Sequence, residues 1–137
     1  MNEPQHSGHC LCGGVEFEIS DEPLWVAYCH CASCRRHTAS AVALFAGFDE
    51  RSVRFTRDEP KVYESSSGVW RSFCKACGSP ISYRSTRFPG EVHFYVGVMN
   101  YPERYRPTAH VYFGEHIPWF DTKDELVRYE ATSKAES

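Results

Sequence analysis

Cys10-Leu11-Cys12-Gly13-Gly14-Val15-Glu16-Phe17-Glu18-Ile19 joins two signals in ten residues. Val15, Phe17 and Ile19 alternate with Glu16 and Glu18, the period-two pattern of a strand with one wet face. Just before it stand two cysteines one residue apart. On an extended segment, residues i and i+2 point to the same side, so this spacing aims both sulfurs at one point and turns Leu11 away.

The cysteine pattern continues along the chain. All seven cysteines fall in three clusters, the other two being Cys29-His30-Cys31-Ala32-Ser33-Cys34 and Cys74-Lys75-Ala76-Cys77-Gly78. A C-x-x-C turn brings two sulfurs within reach of one Zn²⁺, and a following glycine relieves crowding where the backbone folds back. Cys10 and Cys12 with Cys74 and Cys77 therefore make a Cys₄ set. Joining them closes a loop of about sixty residues and ties the N-terminal strand to the middle of the chain.

Cys29, Cys31 and Cys34 combine both spacings, so three sulfurs can reach one ion. Three protein ligands leave a position open, the usual mark of a catalytic or ligand-exchanging zinc. Two further readings compete. His30 or His37 could complete a closed structural site, or the cluster could be a metal-free redox centre. Arg35 and Arg36, and the position of Cys31 and Cys34 at or near a helix N-terminus, would favour thiolates.

The rest of the sequence reads as short strands at Leu24 to Tyr28, Ala41 to Phe48, Val53 to Thr56, Val62 to Glu64, Val69 to Phe73, Ile81 to Arg84, Val92 to Val98 and Ala109 to Phe113. Turn formers such as Asp58-Glu59-Pro60 and Phe88-Pro89-Gly90 separate them. Two short helices are predicted. One starts at Ala32 or Ser33, with the Ser33 hydroxyl as a cap, and ends near Thr38; the other follows the capping-box spacing of Thr122 and Glu125. Residues 1 to about 8 read as a loose arm and those after Glu130 as a frayed tail. The 137 residues are expected to form one mainly β domain, ordered over about 8–130.

Net charge is −3 with no long Lys/Arg run, which argues against nucleic acid as a partner. No stretch approaches the roughly 18 apolar residues of a membrane span, and no secretory leader is evident. A cytoplasmic protein is expected, where paired cysteines mean metal or redox work rather than disulfides. His93, His110 and His116 read as packed or surface residues. Trp25, Trp70 and Trp119, with Phe94, Tyr95, Tyr112 and Phe113, read as core and pocket wall, and Ser79-Pro80 as turn chemistry.

Three cysteine motifs in this order resemble the glutathione-dependent formaldehyde-activating enzyme family, which includes centromere protein V relatives. The resemblance runs through Cys10-x-Cys12-Gly13-x-Val15-x-Phe17, Tyr28-Cys29-His30-Cys31-x-x-Cys34-Arg35-Arg36 and Phe73-Cys74-x-x-Cys77-Gly78-Ser79-Pro80. It continues into Val96-Gly97-Val98, Pro107-x-x-His110 and Ile117-Pro118-Trp119-Phe120.

That resemblance implies an antiparallel β-tent fold. It also implies a structural zinc on Cys10, Cys12, Cys74 and Cys77, and a labile catalytic zinc on Cys29, Cys31 and Cys34, with Cys31 able to pair with glutathione. The implied activity is that of a carbon–sulfur lyase, S-(hydroxymethyl)glutathione synthase, with glutathione as co-substrate and a small aldehyde as partner. The alternative is a non-catalytic zinc module that binds a protein, or a glutathione carrier. Arg35, Arg36, Arg71 and Lys75 are the cations nearest the motifs in sequence; the aldehyde and the oligomeric state are left open.

Overall fold

A computed structural model describes residues 5–133. Eleven strands and one helix make it mainly β, as the alternation predicts. A small antiparallel sheet is ordered β1-β2-β5, from β1 (His6–His9), β2 (Glu16–Ile19) and β5 (Val53–Phe55). The large sheet contains β3 (Trp25–Cys29), β4 (Ala43–Asp49), β6 (Lys61–Ser66), β7 (Val69–Phe73), β8 (Pro80–Ser85), β9 (Glu91–Tyr95), β10 (Ala109–Val111) and β11 (Val127–Arg128). Its order is β11-β10-β3-β4-β9-β8-β7-β6.

Most pairings are antiparallel, but β10 runs parallel to both β3 and β11. The sheet is therefore mixed at one edge. A parallel pair needs a long crossover, and most of the chain lies between β3 and β10. At the other edge β6 is exposed at every position, with Lys61 and Glu64 on a strand that has one neighbour. Charges there discourage pairing with another chain.

The central strands are covered on both sides because their residues alternate. Val26 of β3, Ala46 and Phe48 of β4, and Val92 and Phe94 of β9 pack with Phe17 and Ile19 of the small sheet and with Val15 just before β2. Phe17 stacks on Phe94 with ring centroids 4.4 Å apart. The intervening residues Cys29, Ala43, Phe45 and Tyr95 belong to a second cluster with Cys34 of α1 (Ala32–Thr38). One face of the large sheet is thus core, and the other carries the chemistry.

Several expectations need correction. The N-terminal segment is not loose to residue 8, because His6–His9 pairs with β2 from His6↔Ile19 to His9↔Glu16. Its order comes from fit rather than apolar residues: a Cβ on Gly8 would lie 2.3 Å from Val98 O and 2.4 Å from the Phe17 ring. The helix expected at Thr122 does not form. Thr122 donates to Asp124 instead, whose carboxylate also takes the Leu126 N–H at 2.9 Å, and Lys123 adopts φ 55°. A side chain that satisfies nearby backbone in this way competes with the helix.

Strand β9 ends at Tyr95, where a 3₁₀ turn covers Val96–Val98, and β10 ends at Val111 before Tyr112 enters the left-handed region at φ 53°. Trp119 is 77% exposed and belongs to neither core nor wall. At the C-terminal end the Ala131 carbonyl accepts the Tyr112 N–H at 2.7 Å, so pairing extends past Glu130. Residues 1–4 and 134–137, including parts of the predicted arm and tail, lie outside the described residues.

Candidate metal centres and their cavity

The sulfurs of Cys10, Cys12, Cys74 and Cys77 all lie within 4.8 Å of one another. Cys10 and Cys12 are 3.6 Å apart, and Cys12 and Cys74 3.8 Å. Four sulfurs about 2.3 Å from a tetrahedral Zn²⁺ are about 3.8 Å apart, whereas a disulfide needs about 2.05 Å. All seven cysteines are free thiols, so this donor set fits a metal.

The first pair converges by a turn rather than by an extended segment. Gly13 N–H donates to Cys10 O at 3.1 Å, with Gly13 at φ 80°. Gly78 mirrors it: its N–H donates to Cys74 O at 2.8 Å and its φ is 80°. A Cβ on Gly78 would meet nothing within 4 Å, so the backbone conformation, not crowding, calls for glycine. Ser79 does more than shape a turn. Its hydroxyl takes the Leu11 N–H at 3.0 Å and lies 3.2 Å from Cys77 Sγ, and its contacts hold that thiol down to about 5.

The second group contains Cys29, Cys31 and Cys34, again within 4.8 Å of one another. Cys29 closes β3, and Cys31 rather than Ser33 caps α1, accepting the Cys34 N–H at 3.3 Å. Cys29 and Cys34 are buried while Cys31 is partly exposed. Hydrogen bonds with Cys29 and then Cys34 pull the Cys31 thiol down to about 2, helped by the Cys34 N–H and the Arg71 charge. Those same contacts and burial push Cys29 up. One negative charge is shared readily among the three sulfurs; three negative charges need a cation.

Neither candidate fourth ligand joins this group. His37 Nδ1 is hydrogen-bonded with the Tyr95 hydroxyl at 2.6 Å, with burial and then Arg71 lowering the imidazole to about 4. His30, flanked by Cys29 and Cys31, points its ring to the opposite side, where Nε2 lies 2.8 Å from His110 Nδ1. His110 Nε2 in turn lies 3.2 Å from both oxygens of Asp124. Asp124 only accepts, so His110 donates to it through Nε2. His30 Nδ1 is buried and has no hydrogen-bond partner among the described residues.

Arg71 is the cation that reaches the sulfur group. It is 6% exposed, with Nη1 3.5 Å from Cys34 Sγ and 3.4 Å from the Tyr95 hydroxyl. Arg35 is engaged elsewhere, donating to the carbonyls of His30 at 2.5 Å and Glu115 at 2.6 Å, which fixes the loop around Cys31. Sequence distance could not separate these arginines, since Arg71 arrives from β7 across the sheet.

A cavity of about 490 Å³ opens beside the three cysteines. Sheet register builds its wall, because Trp25 pairs with Gly47, Gly47 with His93, His93 with Tyr83, and Tyr83 with Arg71. These residues form one row over five strands. Gly47 is required there, as an added Cβ would stand 2.4 Å from Trp25 Cε2. Trp25 and His93 both bond Glu91, at 3.2 and 2.9 Å. The sequence reading placed Trp25, Tyr95 and Tyr112 at core or wall, but it missed His93 in the wall and the chain from His30 to Asp124. Pro107-x-x-His110 and Cys29-His30-Cys31 were the signals available for the latter.

Among the described residues, no helix is long and apolar enough to cross a membrane. An uncharacterized lyase from Schizosaccharomyces pombe is 32% identical over 83 residues, which cover 61% of this chain and 60% of the relative. The chain thus spans about 60% of the length of that curated relative. A crystal structure of a Rhodobacter sphaeroides protein superposes with a TM-score of 0.58 at 21% identity, covering 89% of this chain and 98% of the other, a likeness of fold. The family described as glutathione-dependent formaldehyde-activating enzyme matches residues 5–115, through both cysteine groups and the row along the cavity wall. The chain belongs to the glutathione-dependent formaldehyde-activating enzyme family.

Proposed function

We propose that this chain is a zinc-dependent carbon–sulfur lyase acting on a thiol–aldehyde adduct, with S-(hydroxymethyl)glutathione as the family's type substrate. Cys10, Cys12, Cys74 and Cys77 hold a structural zinc; Cys29, Cys31 and Cys34 hold a second, exchangeable one. The observation that carries the reading is a three-sulfur group, without a fourth protein ligand among the described residues, whose partly exposed member Cys31 lines a cavity.

Zinc bound there supplies a Lewis acid that stabilises the substrate sulfur as thiolate. The protein does the remaining work. In the lyase direction the adduct's hydroxyl loses its proton, the carbonyl forms, and the C–S electron pair returns to sulfur. Arg71 sits at the sulfur group and favours that negative sulfur. Tyr95, pushed up by burial, keeps its proton, and its hydrogen bond with His37 fixes the hydroxyl beside Arg71. The cavity orients carbon and sulfur together, and in the condensation direction proximity accounts for much of the rate gain. Seven free thiols suit a reducing compartment such as the cytoplasm.

Native mass spectrometry with and without glutathione tests the reading. Two zincs per chain are expected, one removed or capped when glutathione binds at Cys31. Two zincs that resist glutathione and a mild chelator, with no adduct, would instead identify a non-catalytic zinc module.

A further inference from the structure

The cavity is much larger than the aldehyde named by the family. Formaldehyde occupies little more than a water's share of about 30 Å³, while the cavity measures about 490 Å³, the scale of a drug-sized ligand. The peptide part of glutathione fits its interior poorly. Glutathione brings two carboxylates and an ammonium, and buried ions need partners. Among the described lining residues Arg71 is the one arginine or lysine, and it already faces Cys34, while Glu91 and Glu115 carry the opposite charge. The exposed lining residues are Ser33, Ser65, Ser66, Thr108, Glu115 and Ser133, a rim of five hydroxyls and one carboxylate suited to a polar peptide.

The interior surface is aromatic. Trp25 meets His93 edge-on at 4.5 Å between centroids, and His93 stacks with Tyr83 at 5.3 Å. Phe88 closes on His93 at 5.1 Å and Phe45 on Tyr83 at 5.8 Å. The Arg71 guanidinium lies 5.1 Å from the Tyr83 ring centroid, so the shelf ends beside the cysteines. Gly47 keeps the Trp25 indole lying along it. Such a surface takes a flat apolar group by stacking and burial.

We propose that the carbon side of the adduct carries an aromatic ring: the chain acts on the thiohemiacetal of an aromatic aldehyde, with the ring on the Trp25–His93–Tyr83 shelf and the sulfur at Cys31. The substrate class rests on the lyase reading; the aromatic subsite does not. In the reaction ArCH(OH)–SR gives ArCHO and RSH. The C–S bond breaks with its pair on sulfur, the hydroxyl proton leaves, C=O forms, and sulfur gains a proton. No oxidant or reductant takes part.

Two unreactive thioethers, S-benzylglutathione and S-methylglutathione, isolate the ring's contribution when titrated calorimetrically into the zinc-loaded full chain. The benzyl compound is expected to bind at least about tenfold more tightly. Phe88→Ala, in the turn between β8 and β9 and outside the strand ladder, should cut that ratio several-fold and leave the methyl compound unchanged; Tyr83→Leu, which keeps bulk but removes the ring, should do the same. Equal affinities, or binding of neither compound, overturn the proposal.

Saturation-transfer NMR of aldehyde–adduct exchange then separates the two readings. Faster enzyme-dependent exchange for benzaldehyde with glutathione than for formaldehyde supports both. Preference for formaldehyde overturns the aromatic substrate and leaves the lyase standing. Ring-dependent binding with no enhanced exchange for either aldehyde removes the lyase and its aromatic substrate, and leaves the aromatic subsite.

Discussion

His30 Nε2 and His110 Nδ1 lie 2.8 Å apart, both rings buried, joining the residue between Cys29 and Cys31 to a carboxylate at Asp124. This chain fixes the backbone of Cys29-His30-Cys31 from behind. Ligand geometry set by such partners is worth about 10- to 100-fold in metal affinity. His110→Ala should therefore loosen the metal at Cys29, Cys31 and Cys34 by that factor and spare the Cys10 site. Competition with a chelator, reading the two zincs separately, checks this, and equal loss from both sites would contradict it.

The two cysteine groups should respond differently to substitution. Cys74 is buried where the small sheet's turn meets the β7–β8 turn, so Cys74→Ser should abolish or strongly weaken cooperative folding. Cys31→Ser should keep the fold and empty the exchangeable site. Circular dichroism melts with metal counts distinguish them; similar unfolding of both variants would refute the four-plus-three division.

Gly47→Ala should displace Trp25, since its new Cβ would stand 2.4 Å from the indole. Overpacking of this kind costs about 1 to 3 kcal/mol. A lower melting temperature and altered tryptophan fluorescence are expected together, and a silent substitution would show that the indole does not lie over Gly47.

Acid should weaken the fold partly through His37, which is lowered to about 4 by burial first and then by Arg71, with the Tyr95 hydroxyl facing it. An unfolded histidine protonates near 6.5. Above that pH neither state gains a proton; between 6.5 and 4 the unfolded chain does and the folded chain does not, so stability falls as pH falls. His37→Gln should remove on the order of 1 kcal/mol of that loss, after solvent screening at a half-buried ring. Denaturation midpoints at pH 7 and pH 4.5 measure the difference, and parallel losses in both proteins would exclude His37.

The sequence by itself determined nine of the eleven strands, the helix at Ala32–Thr38 and the grouping of seven cysteines into four and three. These depend on local periodicity and on spacings of one or two residues, which act within a turn or strand. It misplaced His6–His9 and Thr122–Glu125 because their states depend on a neighbour: Gly8 fits under Val98 and Phe17, and Asp124 is drawn to His110 and Leu126. Only the tertiary structure chose Arg71 over Arg35 and put Trp25, His93 and Tyr83 in one row. Cross-strand register brings together residues tens of positions apart, and no local pattern encodes that register.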